Sequence, residues 1–289
     1  MAQPLPTCLL NGALLPLAQA RISPLDRGFL FADGVYEVIV VRHGNARRLE
    51  HNLARLQRSL GELQIRNPYA LEQWRQLIAQ LIEVNGGGDL YVYLQVSRGA
   101  DLERNHAPLP QIEPTVFGFC TPLSAPSADA LAHGVACITA QDTRWARCDI
   151  KSVSLIANVL LRQRAIDAGA REAILLRDGM LTEASASSVY VIAGGLIRVP
   201  PQSPQILPGT TRTLVEELAD RCGIARRTAG ITETELRGAD EIWLSGAALG
   251  LIAVTRLDDA AVGDGKPGPL WRRLYRQVED YWRASETGS

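Results

Sequence analysis

A chain of 289 residues, 46% hydrophobic and 21% charged, is long enough for one large or two medium soluble domains. Its 30 basic residues against 31 acidic ones leave no excess positive charge for a phosphate backbone, so nucleic acid is not an expected partner. Cys8, Cys120, Cys137, Cys148 and Cys222 are scattered, without the spacing of a zinc or redox site, so no metal is expected. Met1–Ala20 shows no signal-peptide pattern, and no apolar run is long enough to span a bilayer. A cytoplasmic chain with reduced, mostly buried thiols and no membrane contact is expected.

In chain order, Val35–Val41 reads as a strand and His43-Gly44-Asn45 as a turn. Leu49, Leu53, Leu56, Leu60 and Leu63, spaced by fours and threes, form one stripe of an amphipathic helix. Trp74, Leu77, Ile78, Leu81 and Ile82 mark a second helix, which Asn85-Gly86-Gly87-Gly88 stops. A strand over Leu90–Ser97, a charged, proline-rich loop from Arg98 to Pro114, and a strand over Thr115–Cys120 follow. The Thr121–Ser127 stretch is the best linker candidate. The expected organisation is a smaller domain over 1–121, a linker over 122–127 and a larger domain over 128–289.

The second half begins with a strand near Gly134–Ala140. A helix is expected just after Lys151, with Leu155, Ile156, Val159 and Leu160 as its apolar face. Glu172–Arg177, Ser188–Ile192 and Leu196–Val199 read as strands, with hairpin turns at Asp178-Gly179 and Gly194-Gly195. Helices over Thr211–Cys222 and Leu270–Trp282 close the pattern, which is that of an α/β or α+β chain of two domains.

Three stretches could carry chemistry. In Arg147-Cys148-Asp149-Ile150-Lys151-Ser152 a lysine sits beside an apolar residue at a helix start, surroundings that favour the uncharged amine a Schiff base requires. A solvated lysine fits the same residues. In Leu181-Thr182-Glu183-Ala184-Ser185 a carboxylate is followed by small residues, which suits a backbone passing close to a planar ligand, and equally a polar hairpin flank. Ile206-Leu207-Pro208-Gly209-Thr210-Thr211-Arg212 enters a helix with a glycine and two hydroxyls, either a phosphate cradle or an ordinary threonine cap.

Taken together, in this order and spacing, these stretches resemble the fold-type IV pyridoxal-phosphate enzymes: D-amino acid aminotransferases, branched-chain aminotransferases and 4-amino-4-deoxychorismate lyases. The resemblance runs from Asp26-Arg27-Gly28 and Asp33-Gly34-Val35-Tyr36-Glu37, through the three stretches above, to Asp240-Glu241 and the Gly263–Pro269 turn. It implies two domains with the active site at their interface. It implies pyridoxal 5'-phosphate as cofactor, with Lys151 as the Schiff-base lysine and Glu183 at the pyridine nitrogen. Arg55, Leu207, Thr210 and Thr211 would bind the cofactor, chiefly its phosphate. Where relatives place further hydroxyls on the phosphate, this chain has Ser245-Gly246-Ala247-Ala248.

Arg104-Asn105-His106 resembles the Arg-x-His pair with which D-amino acid aminotransferases, together with the tyrosine matched by Tyr36, hold the substrate carboxylate. In that group the loop reaches the neighbouring subunit's active site, so a homodimer is implied. The expected activity is transamination between D-amino acids of the D-alanine or D-glutamate type and 2-oxo acids. Lys151 would move the α-proton as base and then acid. A 4-amino-4-deoxychorismate lyase or a branched-chain aminotransferase of the same fold is the alternative, and a non-catalytic binding protein on this scaffold a remoter one.

Overall fold

The computed structural model describes residues 3–284. The chain divides into two compact units: residues 1–124 with 150–154, and residues 125–149 with 155–289. In the first unit β1 (Thr7–Leu10), β2 (Ala13–Pro16), α1 (Arg27–Phe31), β3 (Gly34–Arg42), β4 (Asn45–Ala46), α2 (Leu49–Glu62), α3 (Leu71–Val84), β5 (Leu90–Ser97) and β6 (Thr115–Pro122) follow one another. Their strands form one antiparallel sheet in the order β2-β1-β6-β5-β3-β4. The leucine stripe of α2 and the Trp74 face of α3 pack on Val35, Ile39, Val92 and Leu94 of that sheet, as their helical spacing predicts.

The second unit contains α4 (Ala128–His133), β7 (Val135–Gln141), α5 (Ile156–Asp167), β8 (Glu172–Arg177), β9 (Met180–Ala184), β10 (Ser188–Ala193) and β11 (Leu196–Val199). It continues with α6 (Thr210–Arg221), β12 (Arg226–Thr228), α7 (Glu233–Arg237), β13 (Glu241–Gly246), β14 (Gly250–Leu257), β15 (Ala260–Ala261) and α8 (Pro269–Ala284). Nine strands form a mixed sheet in the order β12-β11-β10-β13-β14-β7-β8-β9, with β15 on β14. Its central strands are buried on both faces, and so read as unbroken apolar runs such as Ile242-Trp243-Leu244 and Leu251–Val254. Glu241 fastens the end of the chain: its carboxylate accepts from the Leu270 and Trp271 amides at the start of α8 (3.0 and 2.9 Å) and from Trp243 Nε1 (2.8 Å).

Two expectations differ from the structure. The residues counted as the apolar face of α5 are its outer face: Ile156, Val159 and Leu160 are 73%, 58% and 61% exposed, while Leu161 and Ala165 turn inward against β7 and β8. Apolar residues occupy more than half of that helix's circumference, so spacing alone does not select a face. The Lys151 segment, assigned by sequence to the larger domain, packs with the first unit. It extends the outer edge of β3: the Tyr36 amide donates to the Lys151 carbonyl and the Val153 amide to that of Gly34, both at 3.0 Å, with Ser152 opposite Val35. The change of unit near the expected linker falls after Ser124, two residues beyond the end of β6, and Ser127 then caps α4 by accepting from the Ala130 amide.

Candidate functional site

In the first unit, β3 sets the geometry. Alternation along a strand sends Val35 and Glu37 to one face and Tyr36 to the other. The half-buried Tyr36 ring stacks on Tyr93 (centroids 5.7 Å apart), and Lys151 Nζ stands 4.2 Å above its centre. Lys151 starts no helix, since α5 begins at Ile156; it stands at the centre of a γ-turn closed by the Ser152 amide on the Ile150 carbonyl (2.8 Å), and its amide donates to Ser59 Oγ at 3.3 Å. Among the described residues no carboxylate pairs with its amine. The 4.2 Å separation from the Tyr36 ring lies within cation–π range.

On the other face of β3, Glu37 is fully buried and receives two parallel bonds from Arg55 of α2, Nε to Oε1 and Nη2 to Oε2, both 2.7 Å. Asn52 Nδ2 adds a third at 2.8 Å. Burial opposes the Arg55 charge, but Glu37 outweighs it and pushes the guanidinium's pKa up. Arg55 is thus a fixed cation with two of its nitrogens committed to Glu37.

The loop after β5 carries Arg104 and His106, both exposed. The Arg104 guanidinium lies 4.9 Å from the centre of the Phe31 ring, and the His106 ring 5.4 Å from the same ring. Among the described residues no hydrogen bond joins either side chain to Tyr36.

In the second unit, Glu183 lies buried on β9. Its Oε2 accepts from the Leu207 amide (3.2 Å) and its Oε1 from Arg144 Nη1. Arg144 also grips Asp142 through Nε and Nη2 (2.9 Å each) and donates to the Gln205 carbonyl (3.2 Å). Asp142 is held in turn by Thr182 Oγ1 and Arg177. Burial pushes the Glu183 carboxyl up to about 7, against the pull of Arg144 and the Leu207 amide. Burial likewise opposes the Arg144 charge, and its two carboxylates overcome that and raise its pKa. Sequence reasoning missed Arg144. The available signal was chemical: a carboxylate expected to be buried needs a cation within reach.

Leu207, Pro208 and Gly209 lead into α6. Gly209 is its N-cap and contributes no side-chain cap, so the amides of the first turn, at Thr210 and Thr211, lack an intrahelical acceptor. A Cβ on Gly209 would come within 2.9 Å of Ser188 Oγ and 3.2 Å of Arg212 Cβ, so a larger residue would require the Ser188 hydroxyl to move. Beside it, Ser245 Oγ is buried and bonded to the Tyr190 hydroxyl (2.8 Å). Glu172 braces the turn after Glu183 by accepting from Ser185 and Ser187, while Asn158 Nδ2 donates to the Ser185 carbonyl (2.6 Å).

The family described as amino-transferase class IV matches residues 34–257, a span that includes Tyr36, Arg55, Lys151, Glu183 and the α6 cradle. The chain belongs to the class IV aminotransferases. It is 36% identical over 272 residues to a D-alanine aminotransferase of Bacillus licheniformis, covering 94% of this chain and 95% of that one. It is 35% identical over 283 residues to a D-alanine aminotransferase of Listeria monocytogenes, covering 96% of each. Among solved structures, a T.th. branched-chain amino acid aminotransferase with pyridoxamine 5'-phosphate superposes with a TM-score of 0.90 at 25% identity, over 96% of this chain and 94% of that one. A fold IV transaminase from Curtobacterium pusillum does so with a TM-score of 0.80 at 26% identity, over 93% and 92%.

Fold-type IV aminotransferases use pyridoxal 5'-phosphate, and the residues present suit that group. Lys151 offers an amine with no carboxylate partner among the described residues, Glu183 a buried carboxyl, and Gly209-Thr210-Thr211 a helix start with no side-chain cap. Among the described residues no group of side chains could hold a metal ion, and no helix is long and apolar enough to cross a membrane.

Proposed function

We propose that this class IV aminotransferase moves amino groups between D-amino acids and 2-oxo acids with pyridoxal 5'-phosphate bound through Lys151. The observation that carries the reading is the Lys151 amine, set 4.2 Å over the Tyr36 ring and paired with no carboxylate among the described residues. The identity to D-alanine aminotransferases supports the D-series substrate. When bound, the cofactor supplies an aldehyde for condensation with amines and a ring that draws off the electrons left when the α-proton departs. Lys151 takes that proton from the substrate and later returns one, base first and acid second. Glu183, steadied by Arg144, accepts a hydrogen bond from the pyridine nitrogen. Arg55, Thr210 and Thr211 bind the phosphate by charge and by free amides, and Leu207 borders the ring. Tyr36, Arg104 and His106 hold the substrate carboxylate.

Exposed Phe29 and Leu102 sit on α1 and the Arg104 loop, at 77% and 83% exposure. A second copy of the chain covering them gives the homodimer that the family resemblance implies, and sedimentation velocity tests it. The five free cysteines fit a cytoplasmic protein.

The chain has only two lysines, Lys151 and the exposed Lys266. Borohydride reduction of the loaded protein followed by peptide mapping should place the cofactor on Lys151; label on Lys266 alone would overturn the assignment. Lys151→Ala should lower turnover by at least about 10²–10⁴-fold. Pyruvate from D-alanine with 2-oxoglutarate, and none from L-alanine, is the expected substrate result. Activity confined to L-amino acids would favour the branched-chain reading, for which the 0.90 TM-score speaks. Inactivity with both, and pyruvate from 4-amino-4-deoxychorismate, would favour the lyase.

A further inference from the structure

The Asp26-Arg27-Gly28 stretch has no role in the proposed chemistry, yet it is tightly held in the first unit. Asp26 caps α1 by accepting from the Gly28 amide (2.8 Å) and accepts from Thr115 Oγ1 (2.6 Å), at the start of β6. Gly28 lies so close to β5 that a Cβ there would come within 2.7 Å of Ser97 Cβ. The five-residue α1 is thus wedged against both ends of the loop that carries Arg104 and His106. That loop also has a closed neck: Gly99 has φ +107°, and a Cβ on it would meet the Glu113 carbonyl oxygen at 1.9 Å.

Arg27 reaches from this wedge to the far side of the loop. It is 3% exposed, and its backbone amide donates to the Gly99 carbonyl at 2.8 Å. Nε pairs with Asp33 (3.0 Å) and Nη1 faces Asp101 (3.4 Å). The remaining donors go to main chain: Nη1 to the Asn105 carbonyl at 2.6 Å and Nη2 to the His106 carbonyl at 2.9 Å. Asp33 is gripped a second time by Arg98 (2.7 and 3.0 Å), so the Arg27 guanidinium cannot swing away. One turn along α1, on the same face, stands Phe31. Three groups lean on its ring: the Arg27 guanidinium at 4.8 Å, that of Arg104 at 4.9 Å and the His106 ring at 5.4 Å.

We infer that Arg27 and Phe31 are positioning residues for the substrate-carboxylate site: Arg27 fixes the main chain at Asn105 and His106, and Phe31 is the platform on which Arg104 and His106 rest. The inference rests on the reading of Arg104 and His106 as the carboxylate-binding pair. A long arginine on an exposed loop loses much rotamer freedom when it binds an anion. A carbonyl-anchored loop and an aromatic face remove part of that loss in advance, so the benefit falls on substrate affinity and not on proton transfer.

The test uses the full-length, cofactor-loaded protein with D-alanine and 2-oxoglutarate. Phe31→Leu and Arg27→Lys should each raise KM for D-alanine about tenfold while kcat changes by less than about threefold. Lysine keeps the charge beside Asp33 and Asp101 but cannot serve both carbonyls. Trypsin cleavage after Arg104, followed by mass spectrometry, should be faster in Arg27→Lys. Arg104→Gln separates the two ideas. If it raises KM while Phe31→Leu and Arg27→Lys do not, the positioning role is overturned and the carboxylate pair stands. If Arg104→Gln leaves KM unchanged, the carboxylate pair is wrong and the positioning role falls with it. Should Arg27→Lys not fold, the half-exposed Phe31 carries the same test alone, and an unchanged KM there overturns the inference.

Discussion

Glu37 and Glu183 are both buried and both meet arginine, with different results. Glu37 receives three side-chain bonds, two from Arg55 in the parallel fork geometry and one from Asn52. Glu183 receives one arm of an arginine shared with Asp142 and one backbone amide, and burial pushes its carboxyl up to about 7. Both carboxylates are buried, so the number and aim of the donors distinguishes them. A fully forked carboxylate is a structural anchor holding α2 to β3, whereas a partly satisfied one keeps capacity for a further hydrogen bond. That capacity is what a ring nitrogen would need.

The largest break in this contrast comes from the anchor. Arg55→Leu leaves Glu37 buried with only Asn52, and should destabilise the protein by about 3–5 kcal/mol in urea denaturation. Next, Arg144→Met removes the charge that holds Glu183 down. The Glu183 carboxyl, followed by ¹³C NMR in the cofactor-free protein, should then be pushed higher than in the wild type, and cofactor affinity should fall. An unchanged titration would mean that Arg144 serves Asp142 alone.

A smaller effect concerns pH. The folded carboxyl of Glu183, at about 7, lies above its ordinary value of 4.5, so the folded cofactor-free protein binds the proton more tightly than the unfolded chain does. Its contribution to stability is fully present below pH 4.5 and is lost as pH rises through about 7. Urea midpoints between pH 5 and 8 should show that decline in the wild type and less of it in Glu183→Gln. Ser245→Ala should cost least, about 1 kcal/mol for one hydrogen bond to Tyr190, and should leave cofactor affinity nearly unchanged.

The sequence revealed most where local pattern and tertiary role coincide. The leucines of α2 and the alternation of β3 announce their elements because one face of each is buried and the other is not. Strands β13 and β14 went unread because burial on both faces removes the alternation. The five residues of α1 are too few for any period. For the candidate site, Lys151, Glu183 and Gly209-Thr210-Thr211 were nominated through the order of three short motifs. Arg144 and Arg27 were not, since each acts on partners dozens of residues away that only the fold brings near. The face of α5 was misread because an aliphatic side chain carries the same signal whether it packs inside a unit or faces outward.

The return of residues 150–154 to the first unit has a consequence for biosynthesis. When Ser124 leaves the ribosome, the edge of β3 at Gly34 and Tyr36 still lacks the strand that will cover it, and that strand is synthesised only after β7. A fragment cut at the linker would therefore expose an unpaired sheet edge, a site for pairing with other chains. The segment that completes this edge is also the one that carries Lys151, so the first unit is sealed by the residue proposed to hold the cofactor.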